Sequence, residues 1–151
     1  MNKIGKVLAL DYGKKRVGVA SGDADFRIAF PRAVIENKGV EELVAEIKEL
    51  CLELEVNTVV VGLPLNMDRV EEDNEMVQEV RYFVKELRNV LGDINVEFFD
   101  ERLSSFEAND LLDDAREKSG KEKLGKDAYA AQVILQRFFD KIQTNQYNSL
   151  E

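Results

Sequence analysis

The chain has 151 residues, a hydrophobic fraction of 44% and a formal net charge of -9, which suits one domain with a single sizeable core. It contains no histidine, which excludes Ser/His and Cys/His catalysis and His-ligated zinc. The acidic balance argues against broad electrostatic binding of nucleic acid, but it leaves room for a local basic patch beside a metal site. The sequence has no membrane-spanning run and no secretory block at its start, so we expect a cytoplasmic protein without a membrane partner.

The first half of the chain predicts three strands followed by a helix. Apolar runs at 7–10, 17–20 and 27–35 are separated by glycine turns and indicate an antiparallel start. Pro31 lacks a backbone N–H, so it predicts an edge or irregular position in the third strand. Apolar residues recur at helical spacing over 40–54, and Cys51 falls in that pattern, where we expect it to be a core residue.

The second half alternates strands and helices. It predicts a buried strand at 58–62, a helix from about 70 to about 90 and a strand at 94–99. Ser104 and Glu107 form a capping box for a further helix, and a last helix extends to Ile142. These elements predict an α/β fold with a mixed five-stranded sheet and helices on its faces. We assign residues 1–143 to this domain and 144–151 to a polar C-terminal tail.

Acidic residues lie at three of the predicted element ends. Asp11 ends the first strand and is followed by Gly13, Asp100 and Glu101 end the fifth strand, and Asp127 opens the last helix. Side-chain alternation lets only one of Asp100 and Glu101 point to a given face. Converging carboxylates repel one another unless cations lie between them. Three such acids would therefore suit a phosphodiester hydrolase that uses Mg²⁺ or Mn²⁺.

Four ordered blocks carry a resemblance to a known family. They are Leu-Asp-Tyr-Gly at 10–13 continuing into Arg-Val-Gly-Val-Ala at 16–20, Gly-Leu-Pro-Leu-Asn-Met-Asp at 62–68, Asp-Glu-Arg-Leu-Ser-Ser at 100–105 and Lys-Asp-Ala at 126–128. Together they span about residues 6–139, and they resemble the YqgF (RuvX) family. The resemblance implies an RNase H-like fold related to Holliday junction resolvases. It also implies a metal-dependent nuclease that matures the precursor of 16S ribosomal RNA.

The resemblance also implies roles for individual residues. Asp11, Glu101 and Asp127 match the three catalytic acids, which are the metal ligands for Mg²⁺ or Mn²⁺. Lys14 and Arg16 match its basic turn and Asn66 matches its polar loop, so these residues are implied to contact nucleic acid. Arg102 and Lys126 are candidates on their own chemistry, because cations beside a metal site suit phosphate contacts, although both also suit a solvated surface. The chain departs from the family pattern at Arg69, where the family usually has Gly. It also lacks the β-branched residue that usually separates Lys126 from Asp127.

Two other functions remain open at the level of the sequence. The same carboxylates would support the resolution of branched DNA, and a domain of this fold could also bind nucleic acid or the ribosome without catalysis. An ATP-binding domain of the actin type also places Asp-x-Gly after a strand, but it needs a second similar half, and the chain shows no repeat. The sequence is compatible with a monomer or a homodimer.

Overall fold

A computed structural model describes residues 4–63, 75–100 and 125–149. In chain order, its elements are β1 (Lys6–Asp11), β2 (Arg16–Asp23), β3 (Ile28–Glu36), α1 (Val40–Glu53), β4 (Thr58–Leu63), α2 (Glu75–Leu91), β5 (Asn95–Asp100) and α3 (Gly125–Ser149). The predicted capping box and the helix after it lie outside the described residues.

The five strands form one mixed sheet in the order β3-β2-β1-β4-β5. β2 pairs antiparallel with both β1 and β3, whereas β4 pairs parallel with β1 and with β5. The predicted five-stranded mixed sheet is therefore confirmed. The parallel strands β1, β4 and β5 end at one edge of the sheet, which we call the carboxyl edge, at Asp11, Leu63 and Asp100.

Each face of the sheet is covered by helices, so the central strand is apolar throughout. Leu8 and Leu10 pack with α1 and α2 on one face, while Val7 and Ala9 pack with α3 on the other. All four side chains are fully buried. A strand buried on both faces has a continuous apolar sequence rather than an alternating one, and residues 7–10 show this pattern.

The edge strand β3 is irregular where the sequence predicts it to be. The register with β2 shifts between Val19 and Ala20, which pair with Ala33 and Pro31 respectively. Arg32 is the extra residue of this bulge, and its Nε donates a hydrogen bond of 2.7 Å to the Ser21 hydroxyl. A proline is tolerated here because an edge strand leaves part of its hydrogen-bonding capacity unused.

Cys51 is a core residue, as predicted, with 1% of its surface exposed. The helix α3 continues to Ser149, through most of the segment that the sequence assigns to a polar tail. None of the helices in the described part of the chain has the length and apolar composition that a membrane span requires.

Candidate active site

Asp11 lies at the centre of the carboxyl edge with a glycine on each side. Its neighbours in register are Gly18 on β2 and Gly62 on β4. Alternation from Val7 and Ala9 assigns Asp11 to the α3 face of the sheet. Both flanking positions on that face lack a side chain, so the strands leave room around the carboxylate.

The next residue anchors this strand end in the opposite core. Tyr12 is 6% exposed, and its ring centroid lies 5.0 Å from that of Phe83 on α2. Its hydroxyl donates a hydrogen bond of 3.0 Å to Oε2 of Glu79. Asp11 is therefore presented by a rigid strand end rather than by a loop.

The start of α3 brings Asp127 to Asp11. Asp127 lies in the first turn of the helix, and its backbone carbonyl lies directly above Gly18. A Cβ atom on Gly18 would collide with that carbonyl oxygen and with the amide nitrogen of Ala128. The start of α3 can approach the sheet because residue 18 is a glycine, which has no Cβ atom. Gly18 pairs with Asp11 in the sheet, so this approach brings Asp127 to Asp11.

The two carboxylates have different electrostatic surroundings. Burial, reinforced by the negative charge of Asp127, raises the pKa of Asp11 from 3.8 to about 7. Asp127 has a cationic partner, because Nε of Arg16 donates a hydrogen bond of 3.1 Å to its Oδ2. Among the residues that the structure describes, no hydrogen bond or ion pair reaches the Asp11 carboxylate. The site therefore concentrates negative charge that the described residues neutralise only in part.

The turn between β1 and β2 places cations beside these acids. Lys14, Lys15 and Arg16 line a cleft of about 480 Å³ together with residues of β3 and Asn37. The side-chain amide of Asn37 donates a hydrogen bond of 2.9 Å to the Gly13 carbonyl. The Arg16 side chain is 63% exposed despite its contact with Asp127, so it remains accessible to a ligand in the cleft.

Of the eight predicted site residues, five can be placed. Asp11, Arg16 and Asp127 lie together. Lys14 lies at the same turn, where its Nζ is 4.0 Å from Oε2 of Glu75, and Lys126 is exposed in the first turn of α3. Glu101, Asn66 and Arg102 lie outside the described residues. Within the described ranges, no group of three or more potential metal ligands converges.

Sequence reasoning missed Gly18 and Asn37. A glycine inside an apolar strand is a signal for close backbone approach, so the sequence could have indicated that another backbone approaches Gly18, but not that this backbone is the start of α3. Asn37 precedes Gly39, and its Oδ1 accepts a hydrogen bond of 3.1 Å from the Gly39 amide. That local pattern indicates a turn, but the contact of Asn37 with Gly13 depends on the pairing of β2 with β3.

A mixed sheet with this strand order, helices on both faces and acids at its carboxyl edge defines an RNase H-like fold of the kind found in Holliday junction resolvases. The chain aligns with RuvC of Thermus thermophilus, solved in complex with a Holliday junction substrate, with a TM-score of 0.60 at 15% identity over 91% of this chain and 96% of that chain. The yeast mitochondrial Holliday junction resolvase Ydc2 gives a TM-score of 0.58 at 11% identity, over 99% of this chain and 84% of that chain.

The chain belongs to the family described as "RuvX: Holliday junction resolvase", whose model matches residues 5–141. Curated relatives carry the name "Putative pre-16S rRNA nuclease". One from Chloroflexus aurantiacus is 41% identical over 96% of this chain and 93% of its own length. One from Anaeromyxobacter sp. strain Fw109-5 is 44% identical over 89% of this chain and 96% of its own length. The family resemblance predicted from the sequence blocks is therefore confirmed.

Proposed function

We propose that this chain is a metal-dependent nuclease that hydrolyses phosphodiester bonds in RNA, with the precursor of 16S ribosomal RNA as its substrate. The observation that carries this proposal is the approach of Asp127 to the half-buried Asp11, whose pKa is raised to about 7. The names of the curated relatives, which align over nearly the whole chain, support the choice of substrate.

The donor set fits Mg²⁺ or Mn²⁺. Both metals prefer hard oxygen ligands, and a cation between Asp11 and Asp127 would relieve their repulsion and favour the ionised form of Asp11. Asp11, Asp127 and Glu101 would hold the metal. When bound, such an ion activates a water molecule and stabilises the departing oxygen.

Strand alternation supports Glu101 over Asp100 as the third ligand. Phe99 packs in the core on the α3 face, whereas Val96 belongs to the core on the other face. Odd-numbered positions of β5 thus face α3, and we propose that this period continues to the residue after the strand, which would favour Glu101 over Asp100 as the ligand.

The cations around the site would bind the substrate backbone. Arg16 has an exposed guanidinium within hydrogen-bonding distance of Asp127, so it could exchange that carboxylate for a phosphate oxygen of the substrate. Lys14 and Lys126 are also exposed, and we assign them the same role. Asn66 is proposed as a substrate contact on the family resemblance alone, and Arg102 as a phosphate contact because its cationic side chain directly follows Glu101 in the sequence.

A second candidate function is the resolution of branched DNA. The description of the matching family model favours it, and the same carboxylates would serve both reactions. A binding module without catalysis is the third. We further propose a cytoplasmic location, a nuclease domain at 1–143 followed by a polar segment, and a monomer or homodimer in solution.

Cleavage assays on matched substrates test these proposals. The purified protein with Mn²⁺ is given a precursor rRNA fragment and a four-way DNA junction of similar length. We expect cleavage of the RNA, and we expect Asp11→Asn, Glu101→Gln and Asp127→Asn each to abolish it without lowering the thermal midpoint. Asp100→Asn is the matched control, and it should keep most of the activity.

Each alternative has its own outcome. Cleavage of the junction alone would establish the resolvase function instead. Cleavage at the parental rate by all three acid variants would refute the metal site. Loss of activity in Asp100→Asn with retention in Glu101→Gln would reassign the third ligand. Binding of RNA without cleavage and without Mn²⁺ binding would establish the non-catalytic module.

A further inference from the structure

A second basic region lies away from the acidic site, in a groove between α2 and the edge strand β5. The groove has a volume of about 410 Å³ and is lined by Arg81, Lys85, Arg88, Asn89 and Phe98. It lies on the face of the sheet that α2 covers, opposite the face of Asp11 and α3. None of its residues belongs to the site described above.

The charges of α2 are sorted into two stripes. At about 100° per residue, Arg81, Lys85 and Arg88 fall within about 60° of arc on the helix surface. A second stripe, centred about 130° away, holds the acidic residues of the helix, Glu75, Glu79 and Glu86. The groove thus presents three cations and no carboxylate in a chain with a net charge of -9.

This arrangement is unfavourable for the isolated helix. Arg81 and Lys85 are four residues apart, a spacing at which like charges repel. No ion pair of the described residues includes Arg81, Lys85 or Arg88. A row of cations that repel one another is stabilised when an anionic ligand binds across them.

The groove also contains an exposed aromatic ring. Phe98 is 40% exposed, although it lies in a strand. The guanidinium carbon of Arg88 lies 5.7 Å from the centroid of this ring, and Nη2 of Arg88 donates a hydrogen bond of 2.9 Å to the Val96 carbonyl. Arg88 is therefore held over the ring of Phe98, and the pair places an apolar and a cationic group together in the groove.

We propose that this groove binds an extended single strand of nucleic acid, with a base stacked on Phe98 and phosphates contacted by Arg81 and Lys85. A basic groove with an exposed aromatic side chain is the combination that single-strand binding uses. An acidic peptide would use the cations, but it would gain little from the exposed ring. The chemistry is shared by RNA and single-stranded DNA.

The position of the groove suggests how it serves the proposed nuclease, and this part of the inference rests on that function. Phe98 lies two residues before the end of β5 and is level with Val61, next to Gly62, the partner of Asp11. β5 is two strands from β1, about 10 Å across the sheet. A substrate strand that crosses the carboxyl edge can therefore continue into the groove. The groove would then bind nucleotides at some distance from the bond that is cleaved.

Binding in EDTA tests the groove without catalysis. Fluorescence anisotropy of labelled 12-nucleotide oligouridine is measured at several KCl concentrations. Arg81→Gln/Lys85→Gln should weaken binding and reduce the slope of log K against log [KCl] by about 1.4, since each single-strand phosphate contact contributes about 0.7. Phe98→Leu, which keeps an apolar side chain, should weaken binding at least about fivefold. The control Lys6→Gln/Lys48→Gln removes the same charge at the start of β1 and on α1, away from both the groove and the cleft, and should leave the slope unchanged.

The outcomes separate this inference from the proposed function. If the groove variants keep the parental affinity and the parental salt dependence, the groove does not bind nucleic acid, whatever the cleavage assays show. Loss of RNA binding in those variants supports the groove even if the protein cleaves nothing. Oligothymidine in place of oligouridine shows whether the groove distinguishes DNA from RNA. Labelled polyglutamate that binds through Arg81 and Lys85 more tightly than oligouridine, with no effect of Phe98→Leu, would assign the groove to an acidic protein and overturn the proposal.

Discussion

The substitution Asp11→Asn should stabilise the metal-free protein, by an amount that grows with pH. In the folded protein, burial and the charge of Asp127 raise the pKa of Asp11 from 3.8 to about 7. The folded state therefore holds the proton more tightly than the unfolded chain does. Above pH 3.8 the unfolded chain gains stability by ionising, and the folded protein matches it only above about pH 7. An asparagine has no such dependence.

The size of the effect follows from the two pKa values. A shift of about three units corresponds to about 4 kcal/mol of lost stability once both states are ionised. At pH 5.5 about half of this loss is present. The advantage of Asp11→Asn should therefore grow by about 2 kcal/mol between pH 5.5 and pH 8. Relaxation of the site and entry of water would reduce these values, so they are upper limits.

Urea denaturation in EDTA at pH 5.5 and pH 8 measures this difference. With a typical urea dependence for a domain of this size, 2 kcal/mol moves the midpoint by about 1 M. Asp93→Asn is the control, since it removes the same charge from an exposed carboxylate after α2, at the opposite edge of the sheet. A gain that is the same at both pH values, or an equal gain in Asp93→Asn, would refute the burial of Asp11 as the cause.

Three further results are expected. Gly18→Ala should displace the start of α3, which lowers the thermal midpoint by roughly 3–10 °C and weakens Mn²⁺ binding in calorimetry; an unchanged midpoint and affinity would contradict the close approach. A double-mutant cycle of Arg16→Gln and Asp127→Asn should give a coupling below about 1 kcal/mol that falls with added salt, because the Arg16 side chain is 63% exposed. Burial raises the pKa of Cys51 to about 11, so at pH 8 a disulfide reagent should modify it only at the rate of unfolding, and rapid modification of the native protein would show that the thiol is accessible.

The elements of this fold are encoded locally, and for that reason the sequence predicts them well. The run at 7–10 is apolar at every position because both faces of β1 are covered, and the spacing of apolar residues over 40–54 is that of α1. Pro31 marks the irregular edge strand because its missing N–H is a property of the residue itself. Asp11 is likewise predicted at the end of β1, because a charged residue that directly follows an apolar run marks the end of a strand.

The tertiary structure alone decided which of these elements contact one another. No spacing in the sequence indicates that the first turn of α3 lies over Gly18, or that the guanidinium of Arg16 reaches Asp127. Both contacts depend on the register of β2 with β1 and on the packing of α3, which joins distant parts of the chain. The raised pKa of Asp11 has the same origin, because burial and a second carboxylate are properties of the folded protein. The basic stripe of α2 can be read from its sequence, but it becomes a groove only because Phe98 on the edge strand stands beside Arg88.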